Sequence, residues 1–92
     1  FTGLIEAVCE VKSVAVGGSE GGSLAVDLGE LAGDCRPGDS IAVSGVCLTV
    51  TRLQGSLTTF GLSHETLKRS SLANLRPGWK VNIERAMKVE ES

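Results

Sequence analysis

The 92-residue sequence predicts an all-β fold, a six-stranded antiparallel closed barrel with one short helix. Three observations carry this. Six short runs alternate apolar and polar residues with the period of two that turns one face of a strand inward. Glycine or Pro-Gly punctuates these runs at short intervals, so the connections are tight turns rather than crossover helices. Only one stretch, beginning at Ser63, combines a capping residue with a helix-like run. A chain this small has little with which to cover exposed sheet edges, and closure into a barrel removes them.

In the first run Ile5, Ala7, Cys9 and Val11 share one face, opposite Glu6, Glu10 and Lys12, with Val8 as the exception. It ends at Gly17-Gly18-Ser19-Glu20-Gly21-Gly22, read as a flexible hairpin connection. A glycine cluster can cradle phosphate, but neither a helix pattern nor Gly-Lys-Ser/Thr follows this one. Leu24, Val26 and Leu28 mark the inner face of a second strand, and Glu30 to Gly33 form a single helical turn. Arg36-Pro37-Gly38 then makes a type II turn, in which Pro fixes the first φ and Gly accepts the positive second one. Ser40–Val43 is a third strand, broken or bulged at Ser44-Gly45. Val46 to Leu53 is a fourth, with Val46, Leu48 and Val50 facing one way and Cys47, Thr49 and Thr51 the other.

Gln54-Gly55 is a hairpin signal leading into a fifth strand, Ser56 to Leu62, where Gly61 marks a bulge or a close approach to the backbone. Ser63 caps a short helix running through Leu67, Lys68, Ser71 and Leu72, with Glu65 in its first turn. A second Arg-Pro-Gly, Arg76 to Gly78, precedes the last strand, Lys80 to Ala86. The two Arg-Pro-Gly segments match at a constant offset (Asp34 with Asn74, Ile41 with Val81, Val43 with Ile83), and convergent turn chemistry is the preferred explanation.

Size and charge narrow the function. A chain of this length buries roughly 60% of its unfolded surface, enough for one core but not for a second domain or a deep internal cavity. The net charge of −2 argues against nucleic acid or an anionic membrane as partner, since phosphate contacts need a surplus of Lys and Arg. No membrane span or signal peptide is visible. Cys9, Cys35 and Cys47 are odd in number and scattered, which disfavours a disulfide framework and fits a reducing, cytoplasmic setting. With a single histidine and no paired cysteines, no metal site is expected.

No nucleophile–base pair is visible. His64 reads as a solvent-facing histidine at a helix start. Cys47 reads either as a reactive thiol or as a buried small hydrophobe. The more informative pattern is a polar cluster. The hairpin at Gln54-Gly55 brings Thr49 beside Gly61-Leu62-Ser63, and Glu65 and Thr66 follow at once. Hydroxyls, a carboxylate and accessible backbone groups would then share one patch, suited to a flat polyhydroxylated ligand with amide-like edges; the alternative is a solvated strand face.

Several of these segments resemble the riboflavin synthase family. Phe1-Thr2-Gly3-Leu4-Ile5-Glu6 looks like the family's amino terminus after loss of Met, and Gly38 to Val50, with its Gly-Val-Cys-Leu-Thr-Val run, resembles the central motif. Glu65-Thr66-Leu67 and Val81-Asn82-Ile83-Glu84-Arg85-Ala86 follow in the same order and spacing, so the likeness covers nearly the whole chain. It implies a Greek-key barrel and, for residues 1–92, the amino-terminal lumazine-binding half of a two-barrel subunit, shortened naturally or by design, with the second barrel absent.

The same resemblance implies that the barrel binds 6,7-dimethyl-8-ribityllumazine or riboflavin and that no metal or redox cofactor takes part. In the family, one lumazine donates a four-carbon unit to another, at a site shared between the first barrel of one subunit and the second barrel of its neighbour. Carried over by position, Gly61, Leu62 and Ser63 meet the pteridine edge through backbone groups, and Cys47, Leu48 and Thr49 line the ring and ribityl chain. Glu65 and Thr66 bind ribityl hydroxyls with His64 close by, while Gly3, Leu4 and Ile5 reach a ligand shared with a partner barrel. No catalytic residue is assigned to this half, and little or no turnover is expected of it alone. The isolated domain is expected to pair with itself as a homodimer, where the full-length family enzyme is a homotrimer. The alternative is a non-catalytic lumazine or flavin carrier like the antenna proteins of luminous bacteria; Thr2 and the intact Cys47-Leu48-Thr49 favour the enzyme lineage. An oligonucleotide-binding barrel is a third reading, disfavoured by acidic charge and the 3% aromatic content.

Overall fold

The computed structural model describes residues 4–18 and 21–86. Their strands are β1 (Ala7–Gly18), β2 (Gly21–Asp27), β3 (Ser40–Val43), β4 (Val46–Gln54), β5 (Leu57–Leu62) and β6 (Lys80–Arg85). One α-helix, α1 (His64–Arg69), and two 3-10 segments, Gly29–Asp34 and Leu72–Asn74, complete the fold. Every strand pairing is antiparallel, and the sheet closes in the order β1-β2-β5-β4-β3-β6. The closed barrel with one short helix that the alternation predicts is the fold observed.

Each strand supplies inward residues to one core: Cys9 and Val11, Leu24 and Val26, Ile41 and Val43, Leu48 and Val50, Phe60 and Leu62, Val81 and Ile83. Leu28, Ala32, Cys35 and Leu72, from the strand ends and the 3-10 segments, pack against the same cluster. Thr58 is also fully buried, and its hydroxyl donates to the Ser56 carbonyl. All three cysteines are free, Cys9 and Cys35 buried and Cys47 exposed, which removes the buried-hydrophobe reading of Cys47. Among the described residues no helix is long and apolar enough to cross a membrane.

Two boundaries differ from the sequence reading and a third is settled between its alternatives, each for a physical reason. Gly18, Gly21 and Gly22 are in strands rather than in a flexible connection, with Gly18 opposite Gly21 and Val16 opposite Gly22. Glycine is needed there because a Cβ on Gly21 would strike the Leu62 carbonyl oxygen, and one on Gly22 that of Ala15. Ser44-Gly45 breaks the chain between two strands and is not a bulge. It is a two-residue hairpin turn joining β3 to β4, and φ of 48° and 84° at its two residues has the primed-turn sign that matches strand twist. The helix stops at Arg69 because Ser70 intervenes: its N–H and hydroxyl both donate to the Thr66 carbonyl, and its hydroxyl accepts the Leu72 N–H.

The two Arg-Pro-Gly segments occupy equivalent places. Gly38 N–H donates to Val50 O and Val50 N–H to Asp39 O, at 2.8 and 2.9 Å. In the other half Gly78 N–H donates to Val11 O and Val11 N–H to Trp79 O, both at 2.8 Å. A register shift follows each partner valine, between Val11 and Ser13 in β1 and between Val50 and Arg52 in β4. The barrel is therefore pseudo-two-fold, with β1, β2 and β3 equivalent to β4, β5 and β6. The likeness of the two segments reflects equivalent positions, not a coincidence of turn chemistry.

Candidate functional site

The site lies where β4 begins and β5 ends. The β4–β5 register stops at Thr49 opposite Gly61, and beyond it the chain leaves β5 through Ser63 into α1. Ser63 holds an extended conformation, and its Oγ accepts the Thr66 N–H at 3.1 Å while donating to Thr66 Oγ1 at 2.9 Å. This cap starts the helix. An open groove of about 510 Å³ remains between helix and sheet, lined by Gly45, Val46 and Cys47 on one side and Ser63, Glu65, Thr66, Arg69 and Ser70 on the other. That volume falls within the roughly 300–1,000 Å³ typical of small-molecule sites.

Its chemistry is polar and close to neutral. Glu65 Oε1 and Arg69 Nη1 are 3.1 Å apart, an i,i+4 pair in which both side chains are exposed. Thr66 Oγ1 receives the Ser63 proton and keeps its own for another acceptor. Cys47 adds an exposed thiol. The groove can thus accept and donate hydrogen bonds to several hydroxyls at once while its strand wall stays largely apolar.

Of the residues singled out by sequence, Cys47, Ser63, Glu65 and Thr66 line this groove together. Thr49 and Gly61 form the adjacent cross-strand pair. Gly61 is a close-approach glycine rather than a bulge: the extra residue lies in β4, where Thr51 places its methyl over the Gly61 backbone. Leu48 and Leu62 point their side chains into the core, at 3% and 1% exposure. His64 is exposed at the start of α1 and is not part of the groove lining. Leu4 and Ile5, exposed ahead of β1, are separated from the groove by β6 and β3. Gly3, with Phe1 and Thr2, lies outside the described residues.

Four groove residues escaped sequence reasoning. Arg69 was detectable as the i+4 partner of Glu65, and Gly45 as a turn glycine between two strand patterns. Val46 and Ser70 carry no signal of their own, since only the hairpin and the helix stop bring them to the edge.

A closed six-stranded barrel with a polar groove at one strand end is the architecture of a small-molecule-binding domain. The family described as the lumazine binding domain matches residues 2–86, and the chain belongs to that family. The riboflavin synthase of Meyerozyma guilliermondii is 43% identical over 98 residues, covering 98% of this chain and 41% of that protein. That of Bacillus subtilis strain 168 is 41% identical over 87 residues, covering 95% and 40%. The chain thus spans about two-fifths of the length of these relatives. In fold it is similar to LumP in its crystal structure with 6,7-dimethyl-8-(1'-D-ribityl) lumazine, with a TM-score of 0.87 and 19% identity over 100% of this chain and 51% of that one. LumP complexed with flavin mononucleotide gives 0.84 and 21%, over 92% and 48%.

Proposed function

We propose that this chain is the ligand-binding amino-terminal barrel of a riboflavin synthase and that its groove holds 6,7-dimethyl-8-ribityllumazine or riboflavin. The observation that carries this reading is the convergence of Cys47, Ser63, Glu65 and Thr66 on one open groove beside the Thr49–Gly61 pair. Backbone groups of Gly61, Leu62 and Ser63 would read the amide-like pteridine edge, with Cys47 and Thr49 flanking the ring. Glu65 and Thr66 would take the ribityl hydroxyls. The relatives at about two-fifths coverage support the enzyme lineage over a carrier.

In the whole enzyme two lumazines react. One gives up a four-carbon unit to the other, so that two identical molecules become riboflavin and 5-amino-6-ribitylaminouracil. The acidic 7-methyl group of the ligand supplies the carbanion, and the protein contributes mainly by holding the pair in register, since orientation alone can supply several kcal/mol of a bimolecular barrier. A single barrel holds one ligand, so this half binds with little or no turnover. The facing barrel in the isolated domain would be a second copy, a reading supported by Leu4, Ile5 and Val8, which are 72%, 56% and 61% exposed. Three free cysteines support a reducing, cytoplasmic setting.

Riboflavin fluorescence titration tests the site. Thr49→Ala and Glu65→Ala are each expected to weaken binding by about fivefold or more, the loss of one hydrogen bond to a polar ligand. Undiminished affinity in both variants would overturn the pocket. Joining the chain to the second half of a riboflavin synthase should restore riboflavin formation, and persistent inactivity would favour the carrier.

A further inference from the structure

The pseudo-two-fold exposes a device that has no counterpart in the groove half. Val43 and Val46 flank the Ser44-Gly45 turn that joins β3 to β4; their equivalents, Ile83 and Ala7, flank a gap, because β6 and β1 are not consecutive. Where one half has a covalent turn, the other has Glu6 and Arg85. Glu6 N–H donates to Ile83 O at 2.8 Å, and Glu6 Oε1 accepts the Arg85 backbone N–H at 2.7 Å. The Arg85 guanidinium grips the same carboxylate, with Nη2 2.8 Å from Oε2 and Nε 3.2 Å from each oxygen. Arg85 Nη1 reaches Asp34 Oδ2 at 3.2 Å. The Arg85 and Glu6 side chains are 27% and 32% exposed, less open than Asp34 at 73%.

We propose that Glu6 and Arg85 are positioning residues: their clamp replaces the missing turn and fixes the path of the adjoining Leu4–Ile5 segment, and, where two copies pair through that segment, ligand affinity at the face they share. This rests on the proposed pairing of two copies. Glu6 directly follows the exposed apolar pair in the chain, and Arg85 is in register with Ile41 of β3. Arg85 therefore ties the residue next to Ile5 to the barrel wall.

The charged groups around the clamp are Glu6, Asp34 and Asp39, with buried Cys35 beside them in a small cavity of about 90 Å³ next to Arg85. The Arg85 hydrogen bonds hold the Glu6 carboxyl below its ordinary value of 4.5. The clamp is thus intact at neutral pH and opens as pH falls through the lowered value.

Glu6→Gln keeps an acceptor for the Arg85 N–H but removes the charge, and it is read by riboflavin titration across pH and by amide exchange. Relative to wild type, affinity at neutral pH should fall about fivefold. Exchange at the Leu4–Ala7 amides should quicken while Val46–Val50 stays unchanged. Wild-type affinity should decline on acidification in a step that Glu6→Gln lacks, and Arg85→Lys should recover only part of the loss, because ammonium has no fork. Asp34→Asn should change little. Wild-type affinity and pH profile in Glu6→Gln would overturn the clamp while leaving the proposed site standing, as would altered exchange with unaltered affinity. A wild-type chain that binds no riboflavin would remove both.

Discussion

Replacing Ser63 by Ala removes the hydrogen bond that starts α1 and therefore tests how the groove is built. The helix has only six residues, far below the length at which an isolated helix persists, so it depends on its ends and on packing. Ser63→Ala leaves the Thr66 N–H without the 3.1 Å acceptor and the Thr66 hydroxyl without its 2.9 Å donor. The expected cost is about 1 kcal/mol, typical of losing an N-cap. For a chain of this size that lowers the melting temperature by about 5 °C. Thermal unfolding followed by circular dichroism reads the cost, and riboflavin titration reads the groove. Ser63→Asp, which caps equally well, should restore the melting temperature. It should restore affinity only if Ser63 serves the ligand through its backbone. An unchanged melting temperature in Ser63→Ala, together with unchanged protection of the Thr66 amide, would refute the argument that this cap shapes the site.

Three further outcomes are expected. Gly21→Ala combines a φ of +105° with a Cβ driven into the Leu62 carbonyl, and should cost about 3 kcal/mol in urea unfolding; a loss under about 1 kcal/mol would show that the β2–β5 contact relaxes freely. The Glu6 carboxyl has a lowered value in the folded state, so its stabilisation is full above its ordinary 4.5 and is lost as pH falls through the folded value. Wild type should lose more stability than Glu6→Gln between about pH 5 and pH 3, and parallel stability curves would contradict the sign. Iodoacetamide should label exposed Cys47 well before buried Cys9, whose thiol burial also pushes up, and before buried Cys35; saturating riboflavin should slow the Cys47 reaction severalfold.

The strands were legible because alternation in Leu48-Thr49-Val50 or Val81-Asn82-Ile83 is a property of residues two apart, and burial follows the same period there. Pairing was partly legible. The Thr49–Gly61 neighbourhood follows from a single tight hairpin, so a local signal was enough to bring that half of the site together. What failed to show was long-range. Gly21 and Gly22 looked like a loose connection because the carbonyls that demand glycine there belong to Leu62 and Ala15 in neighbouring strands. Arg85 looked like a strand-end charge because its partner Glu6 lies 79 positions away, a separation that no periodicity reports.

The placement of the groove follows from how the two halves depart from their symmetry. Leu28 directly follows β2 and Leu62 closes β5, both buried at equivalent positions, and each half then returns to the next strand through a 3-10 segment and Arg-Pro-Gly. From Leu28 to Arg36 is 8 positions and from Leu62 to Arg76 is 14, a difference of 6, which is the length of α1. The half without these residues runs directly into its 3-10 segment. In the other, Ser63 caps the extra turn and Ser70 ends it, so Glu65, Thr66 and Arg69 stand across from Val46 and Cys47 with a groove between them. A closed barrel whose interior is filled by Phe60 and its neighbours has no internal room for a ligand, so a binding site has to be added at a strand end. The inserted helix adds it on one side, and the Glu6–Arg85 clamp secures the opposite seam where the chain supplies no turn.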